Sequence, residues 1–534
     1  MGGFVIKLFS FLQDKLLPWL PDQFPLPWDA SYTPIYDAVT TDPQAELPDT
    51  GRLFKPGDLR YVDGAFDNIF GGGANNDEAS KVYAALSAFL KRPTSARLSR
   101  LYGELSDRKA SDYIDTLFDF IASGALDRQR VQDLFRWICR TAPDREPVKA
   151  GLAILGICRD AANVPLFQAL GRNEEFSLFV INALANTLDH PETEIWALAR
   201  QLTGWGKVNA VERLAGTTDP QVKRWLVREG CANAIMDAYL AYICATSGDL
   251  ISALRQTEID EALLWGAADI LEALFEAGPC ETMKDYAEGA EAVERFIEHL
   301  DRAALPLRLC RSLVCIRQAL TDEAVELSEA QGWTLSRKET LTVRIDDILR
   351  KQDLTARVER DFLSSAHQRF YDAITLAEYL CMDVWPIYWA RQKAGMDSWY
   401  YLMRSGDPTQ IDQVLGLARE QLNLSALPSE PTPHVVYNGP GMKSLDELDF
   451  IVSRLNNFPG QGFDLIVCAL RAPPVRNRNM ATKALAAWGL ENWPEEAAAA
   501  LKAAIAKEPD EKLRATMQRV LKGEPFSIQE VNIS

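Results

Sequence analysis

The sequence predicts an all-α protein built from stacked helical hairpins, and three observations carry that expectation. Apolar residues recur at i, i+3, i+4 and i+7 through most of the 534-residue chain, the period of one buried stripe per helix. Short polar breaks such as RNEE, DHPE and TTDPQ separate the periodic runs, so neighbouring helices turn back on one another. Hairpin starts lie about 30 to 40 residues apart, the interval of HEAT and armadillo units, whose hairpins bury their faces only by stacking in series. The expected architecture is a HEAT/armadillo-like α-solenoid with a proline-rich N-terminal strap.

Residues 1–76 read as an amphipathic helix followed by the strap. Phe4 to Leu20 carries Val5, Leu8, Phe9, Leu12 and Leu16 on one stripe, interrupted by Lys7, Asp14 and Lys15. It is too short to span a bilayer and lacks the unbroken run of a secretory signal. The helix is expected to dock on the protein's own body; contact with a membrane surface is the alternative, open to this segment alone. Pro18, Pro21, Pro25, Pro27, Pro34, Pro43, Pro48 and Pro56 then keep the chain extended, because proline removes a donor and restricts its predecessor. Trp19, Phe24, Trp28, Tyr32 and Tyr36 are the anchors of this strap. Gly71 to Gly73 break structure, and Asn76 or Asp77 is expected to cap the first long helix.

Residues 77–405 are read as the helical solenoid. Its most regular part, 145–290, places Val148, Leu152, Leu155 and Cys158 on one helix, Leu178, Ile181, Leu184 and Leu188 on the next, and Ile195, Leu198 and Leu202 on a third. Pro191 and Pro220 stand near helix starts, where a missing N–H costs nothing. The part from 291 to 405 is less regular. It gathers Phe370, Tyr371, Tyr379, Trp385, Tyr388, Trp389, Trp399, Tyr400 and Tyr401, as a packed core or, alternatively, a ligand pocket. Residues 406–443 read as a linker, clearest from 424 onward, in which only His434 to Tyr437 has strand character. Residues 444–534 return to HEAT-like hairpins, with four helices and a tail.

The charge balance is 57 basic against 75 acidic residues, a net of −18. Such a field repels phosphates, so no nucleic-acid partner is expected. Nine cysteines without a CxxC pair suggest reduced thiols in the cytoplasm, acting as small core residues. His190, His299, His367 and His434 are too scattered for an HxxxH or Glu-x-x-His ligand pair. No GxxxxGK[ST] loop, GxGxxG fingerprint or GxSxG elbow occurs. No catalytic residue, cofactor site or metal site follows from these patterns, and no cofactor is expected.

What remains is a set of polar and aromatic residues in the best-formed repeats: Glu175, Asn182, Asn186, Trp205, Asn209, Arg213, Trp225, Glu229, Asn233 and Asp237, with Arg476 and Arg478 near the C-terminus. They either brace one repeat against the next or line a concave face that meets a partner. The second possibility makes the chain an interaction scaffold for a protein or peptide. The alternative is an enzyme with a dispersed site in the aromatic stretch, around His367, Tyr371, Glu378 and Asp383.

The runs KAGLAILGICRD, EFSLFVINALAN, GWGKVNAVERL, WLVREGCANAIMDAYLAYICA and RNRNMATKALAAW resemble bacterial proteins labelled limonene hydroxylase or HEAT-repeat domain protein. The resemblance covers roughly residues 145–290 and 440–522. It implies a HEAT-type fold and a bacterial origin. The hydroxylase label implies oxygen insertion into a hydrocarbon, chemistry that a haem, flavin or non-haem metal supplies. No catalytic motif comes with the resemblance.

Overall fold

The computed structural model describes residues 23–48, 50–53, 62–72, 75–124, 126–276, 278, 280–301, 304–362, 364, 366–404, 409–432 and 442–526. The amphipathic stretch Phe4 to Leu20, the anchor Trp19 and the strand-like His434 to Tyr437 lie outside these residues. The chain is all-α, with no strand among the described residues. Nor is any described helix long and apolar enough to cross a membrane. By contacts the chain divides into two units. The division passes through Leu300, inside the stretch that the periodicity joins as one solenoid.

Unit 1 comprises Met1–Pro56, Asp63–His299 and Glu323–Arg337. It begins with α1 (Ile35–Thr41) and α2 (Ala65–Phe70). Then come α3 (Asn76–Lys91), α4 (Ser95–Ser106), α5 (Ile114–Ser123), α6 (Arg128–Thr141) and α7 (Arg145–Ile157). The run continues with α8 (Val164–Leu170), α9 (Glu174–Thr187), α10 (Glu192–Ala199), α11 (Trp205–Arg213) and α12 (Pro220–Trp225), which passes into a π-turn at Leu226–Gly230. It closes with α13 (Ala241–Ser247), α14 (Leu250–Leu254), α15 (Glu261–Phe275) and α16 (Gly289–Leu300). The first long helix is capped one residue earlier than expected. Asn75, with extended backbone, accepts the Glu78 N–H on its side chain at 3.2 Å, the position a cap must hold just outside the first turn.

Helices α7 and α9 form the heart of unit 1. α7 packs on α4, α6 and α9, and α9 packs on α7 and α11. Being covered on several sides, both bury more than one stripe. α9 buries Phe176, Phe179, Val180, Ile181, Ala183 and Leu184, while Leu178 is only half-buried. α7 is buried almost all round, and its buried set includes Glu146 and Lys149.

The strap lies on this body through its aromatic residues. Trp28 packs on Tyr102 at 4.5 Å and on Trp137 at 5.3 Å, and Phe24 meets the edge of Phe89 at 5.8 Å. Tyr32, by contrast, is exposed. The strap is not extended throughout: α1 forms within it because Ile35 and Val39, one turn apart, share a buried face.

Unit 2 comprises Gly57–Val62, Leu300–Asp322 and Lys338–Ser534. Its helices are α17 (Leu307–Thr321), α18 (Leu335–Arg350), which starts before the division, α19 (Leu354–Phe362), α20 (His367–Tyr379), α21 (Trp385–Lys393) and α22 (Trp399–Arg404). α23 (Ile411–Gln421) follows, then α24 (Met442–Val452), α25 (Phe463–Arg471), α26 (Val475–Trp488), α27 (Ala497–Lys507) and α28 (Glu511–Leu521). α23 falls in the stretch read as linker; Ile411, Val414, Leu415 and Ala418 give it a buried stripe. Among the described residues the C-terminal part therefore holds five α-helices after residue 441 rather than four. Phe370 is the hub of the aromatic stretch. It is buried, meets Tyr388 and Tyr401 at right angles, and lies 3.6 Å beneath the Arg391 guanidinium.

A buried ion pair braces the end of unit 2. Arg478 on α26 holds Glu508 through two bonds of 2.7 and 2.9 Å, with both side chains no more than 1% exposed. The same guanidinium donates to the carbonyls of Ala472, Pro473 and Thr432. Arg478→Met strands a carboxylate and three carbonyls, so it should lower the free energy of unfolding by about 3–5 kcal/mol. Urea unfolding followed by tryptophan fluorescence measures this, and an unchanged midpoint would show that the pair is dispensable.

Candidate functional site

The N-terminus of α9 joins three parts of unit 1 through three consecutive side chains. Asn173 caps its own helix by accepting the Glu175 N–H at 3.0 Å, and its amide donates to the Pro43 carbonyl in the strap at 2.9 Å. Glu174 reaches forward to the start of α11. Its carboxylate accepts the N–H groups of Thr203, Gly204 and Gly206 at 2.9, 2.7 and 2.6 Å. Free N–H groups at a helix start carry partial positive charge, so a carboxylate there is well placed. Gly206 is sterically required, since a Cβ there would stand 2.6 Å from Ser177 Oγ; one on Gly204 would make a tight 3.1 Å contact with the Glu174 carboxylate.

Glu175 reaches back. It accepts the Gly64 N–H at 2.9 Å and meets Lys149 at 2.7 Å and Arg145 at 3.7 Å. Lys149, on α7, is the centre of a buried charge cluster. Its ammonium also meets Asp67 of α2 at 2.6 Å and Glu146 at 3.2 Å. Glu146 in turn accepts the Ala110 N–H at 2.7 Å, and Arg145 pairs with Asp63 at 2.8 Å. Gly64 makes the close approach possible. Its φ is +79°, and a Cβ would lie 2.6 Å from the Glu174 carbonyl oxygen.

These contacts set the local titration. Burial alone pushes Lys149 down, but the carboxylates of Glu146, Glu175 and Asp67 outweigh it and hold the ammonium well above the usual lysine value. Burial pushes Glu175 up, and Lys149 with Arg145 overrides it, leaving the carboxyl below its ordinary value. Glu146 and Asp63 move the other way. For each, burial is the largest cause and the neighbouring cation compensates incompletely, so both carboxyls sit above the ordinary range.

The residues singled out by sequence separate into three groups. Glu175, Trp225 and Arg478 are buried, and Glu175 and Arg478 spend their polar groups internally. Asn182, Trp205, Asn209, Asn233 and Asp237 are half-buried. Asn233 and Asp237 close their own loop, Asp237 Oδ1 accepting the Asn233 N–H at 2.8 Å, while Trp205 packs on Tyr239 at 5.5 Å. Asn186, Arg213, Glu229 and Arg476 are exposed. Arg213 donates to Asn182 at 2.7 Å, which brings the faces of α9 and α11 together. The Glu229 backbone carbonyl, with that of Ala232, receives the Lys207 ammonium at 2.8 and 2.6 Å, and Arg476 pairs with Asp449 at 2.6 Å. Of the residues considered for a dispersed enzyme site, Tyr371, Glu378 and Asp383 are exposed.

Asp63, Asp67, Glu146, Lys149 and Glu174 were not singled out from sequence. A signal was available on α7. A helix apolar on every side is enclosed, so charges within it must find charged partners.

No family model matches the chain, and a search of curated proteins finds no match. Replacing Glu174 with alanine leaves the three N–H groups at the start of α11 without their acceptor and should cost about 2–3 kcal/mol. Gly206→Ala should also destabilise, because the new methyl group meets Ser177. Thermal unfolding checks both, and a variant with wild-type Tm would show that this junction carries little energy.

Proposed function

We propose that the chain is a HEAT-like interaction scaffold that binds a protein or peptide along one face of its helical array. The observation that carries this reading is a recurring interval. In unit 1, Arg136 binds Asn163, Glu174 binds Gly204, Lys207 binds Glu229, Arg213 binds Asn182, Arg228 binds Asp260 and Arg255 binds Glu291, at separations of 22 to 36 residues. In unit 2, Arg317 binds Asp346, Gln392 binds Gln421, Asn477 binds the Leu445 carbonyl, Arg478 binds Glu508 and Trp488 binds the Leu455 carbonyl, at 29 to 33. Bridges at about one repeat length are what stacked hairpins require, since each hairpin meets the next at that interval.

The face proposed for the partner is that of α9 and α11. Asn186 and Arg213 stand exposed there, and Asn182 lies beside them. Amides and a guanidinium in this arrangement suit the carbonyls and carboxylates of an extended peptide. The reading places the protein in the cytoplasm, which its free cysteines support.

Affinity purification from native lysate tests the proposal. The wild-type chain should recover a stoichiometric partner. An Asn186→Ala/Arg213→Ala double variant should recover about tenfold less, the loss expected when a central contact is truncated. Arg476→Ala, which removes no side chain of α9 or α11, should recover the wild-type amount. Repeated recovery of the chain alone, or equal recovery by the double variant, would overturn the reading.

A further inference from the structure

The cluster around Lys149 does more than join helices. It is the main polar attachment of segment 63–72 to the helices of unit 1. Four carboxylates, Asp63, Asp67, Glu146 and Glu175, surround two cations, Arg145 and Lys149. The flanking loop adds Lys109 and Asp112, which offset each other in charge, and the buried Tyr113 hydroxyl. Fully ionised, the cluster carries two more negative than positive charges; Asp63 is 36% exposed, whereas Lys149 and Asp67 are at most 3% exposed. Uncompensated buried charge is costly, and buried groups take up protons to avoid it. Two polar atoms also stand there without partners, Asp67 Oδ1 and the Tyr113 hydroxyl.

We infer that the cluster is a proton-gated latch on segment 63–72: the closed latch holds a proton shared among its carboxyls, and losing that proton releases the segment from α7 and α9. Neutralising Asp63 keeps its hydrogen bond in place, because Arg145 donates to Oδ1 and leaves Oδ2 to carry the proton. The direction of the gate follows from the titration of its members. Asp63 and Glu146 lie above their ordinary values, so their contribution is complete below the usual carboxylate range and is lost as pH rises through their folded values. Glu175 lies below its ordinary value, so its contribution is present above the usual range and is lost only as pH falls through its folded value. The latch is therefore closed in the ordinary carboxylate range and opens as pH rises above it. It works whatever the helical array binds.

Hydrogen–deuterium exchange of the full chain reads the latch directly. The amides of Gly64 and Ala110 donate to Glu175 and Glu146, and those of Asn68 and Gly71 close α2. Their protection, corrected for intrinsic exchange and compared with α15, should fall about tenfold for each unit of pKa shift as pH rises from the ordinary carboxylate range to alkaline, the change that one linked proton produces. Asp67→Asn removes one charge but keeps an acceptor for Lys149, so it should flatten this pH dependence and leave segment 63–72 protected throughout. If segment 63–72 and α15 lose protection together, or if Asp67→Asn keeps the wild-type pH dependence, the latch is wrong.

Discussion

Unit 1 is organised by a lysine that has no water to turn to. Lys149 lies inside α7, a helix covered on several sides, and its ammonium must be answered by carboxylates from whatever packs against it. One answer comes from its own helix, Glu146, one from α9, Glu175, and one from the strap, Asp67. Any register that moves α9 or the strap by a turn takes one carboxylate from Lys149 and strands it in the interior, at a cost of several kcal/mol. An apolar core of equal volume would hold the helices as tightly without specifying where the strap must sit.

The constraint propagates through the start of α9. Glu175 holds Gly64, while Glu174 beside it cradles the first N–H groups of α11. A single helix terminus therefore receives the strap on one side and positions the next helix pair on the other. Unit 2 uses the same device in a simpler form. Arg478 and Glu508 are enclosed, thirty residues apart, and the guanidinium also satisfies carbonyls at the end of α25 and in the preceding chain. In both units the apolar stripes supply adhesion, and a buried charge supplies the register.

Much of the fold was legible because helical periodicity is a local property. α9, α10 and α26 are visible in the spacing of Ile181, Leu198 and Leu485 with their neighbours. α23 was hidden by prolines that follow it rather than interrupt it. The buried cluster was hidden for a different reason. In sequence Glu175 looks like any charged residue on a solvated face; Glu146 and Lys149 stand out only through the apolar surroundings of their own helix, and their partners come from elements far along the chain. Of the candidate partner-binding residues, Arg213, Asn182 and Asn186 do share a surface, whereas Glu175 and Arg478 serve the interior. Residue type alone does not distinguish an outward-facing asparagine from an inward-facing glutamate.

The role of Lys149 is tested most directly by a double-mutant cycle between Lys149→Met and Asp67→Asn, followed by urea unfolding at neutral pH. With the lysine present, Asp67→Asn should change stability little. With the lysine gone, the same substitution removes a stranded carboxylate and should restore stability, giving a coupling of about 1.5 kcal/mol or more. If the two changes simply add, the ammonium and the strap are not coupled, and Lys149 is not what sets the register of unit 1.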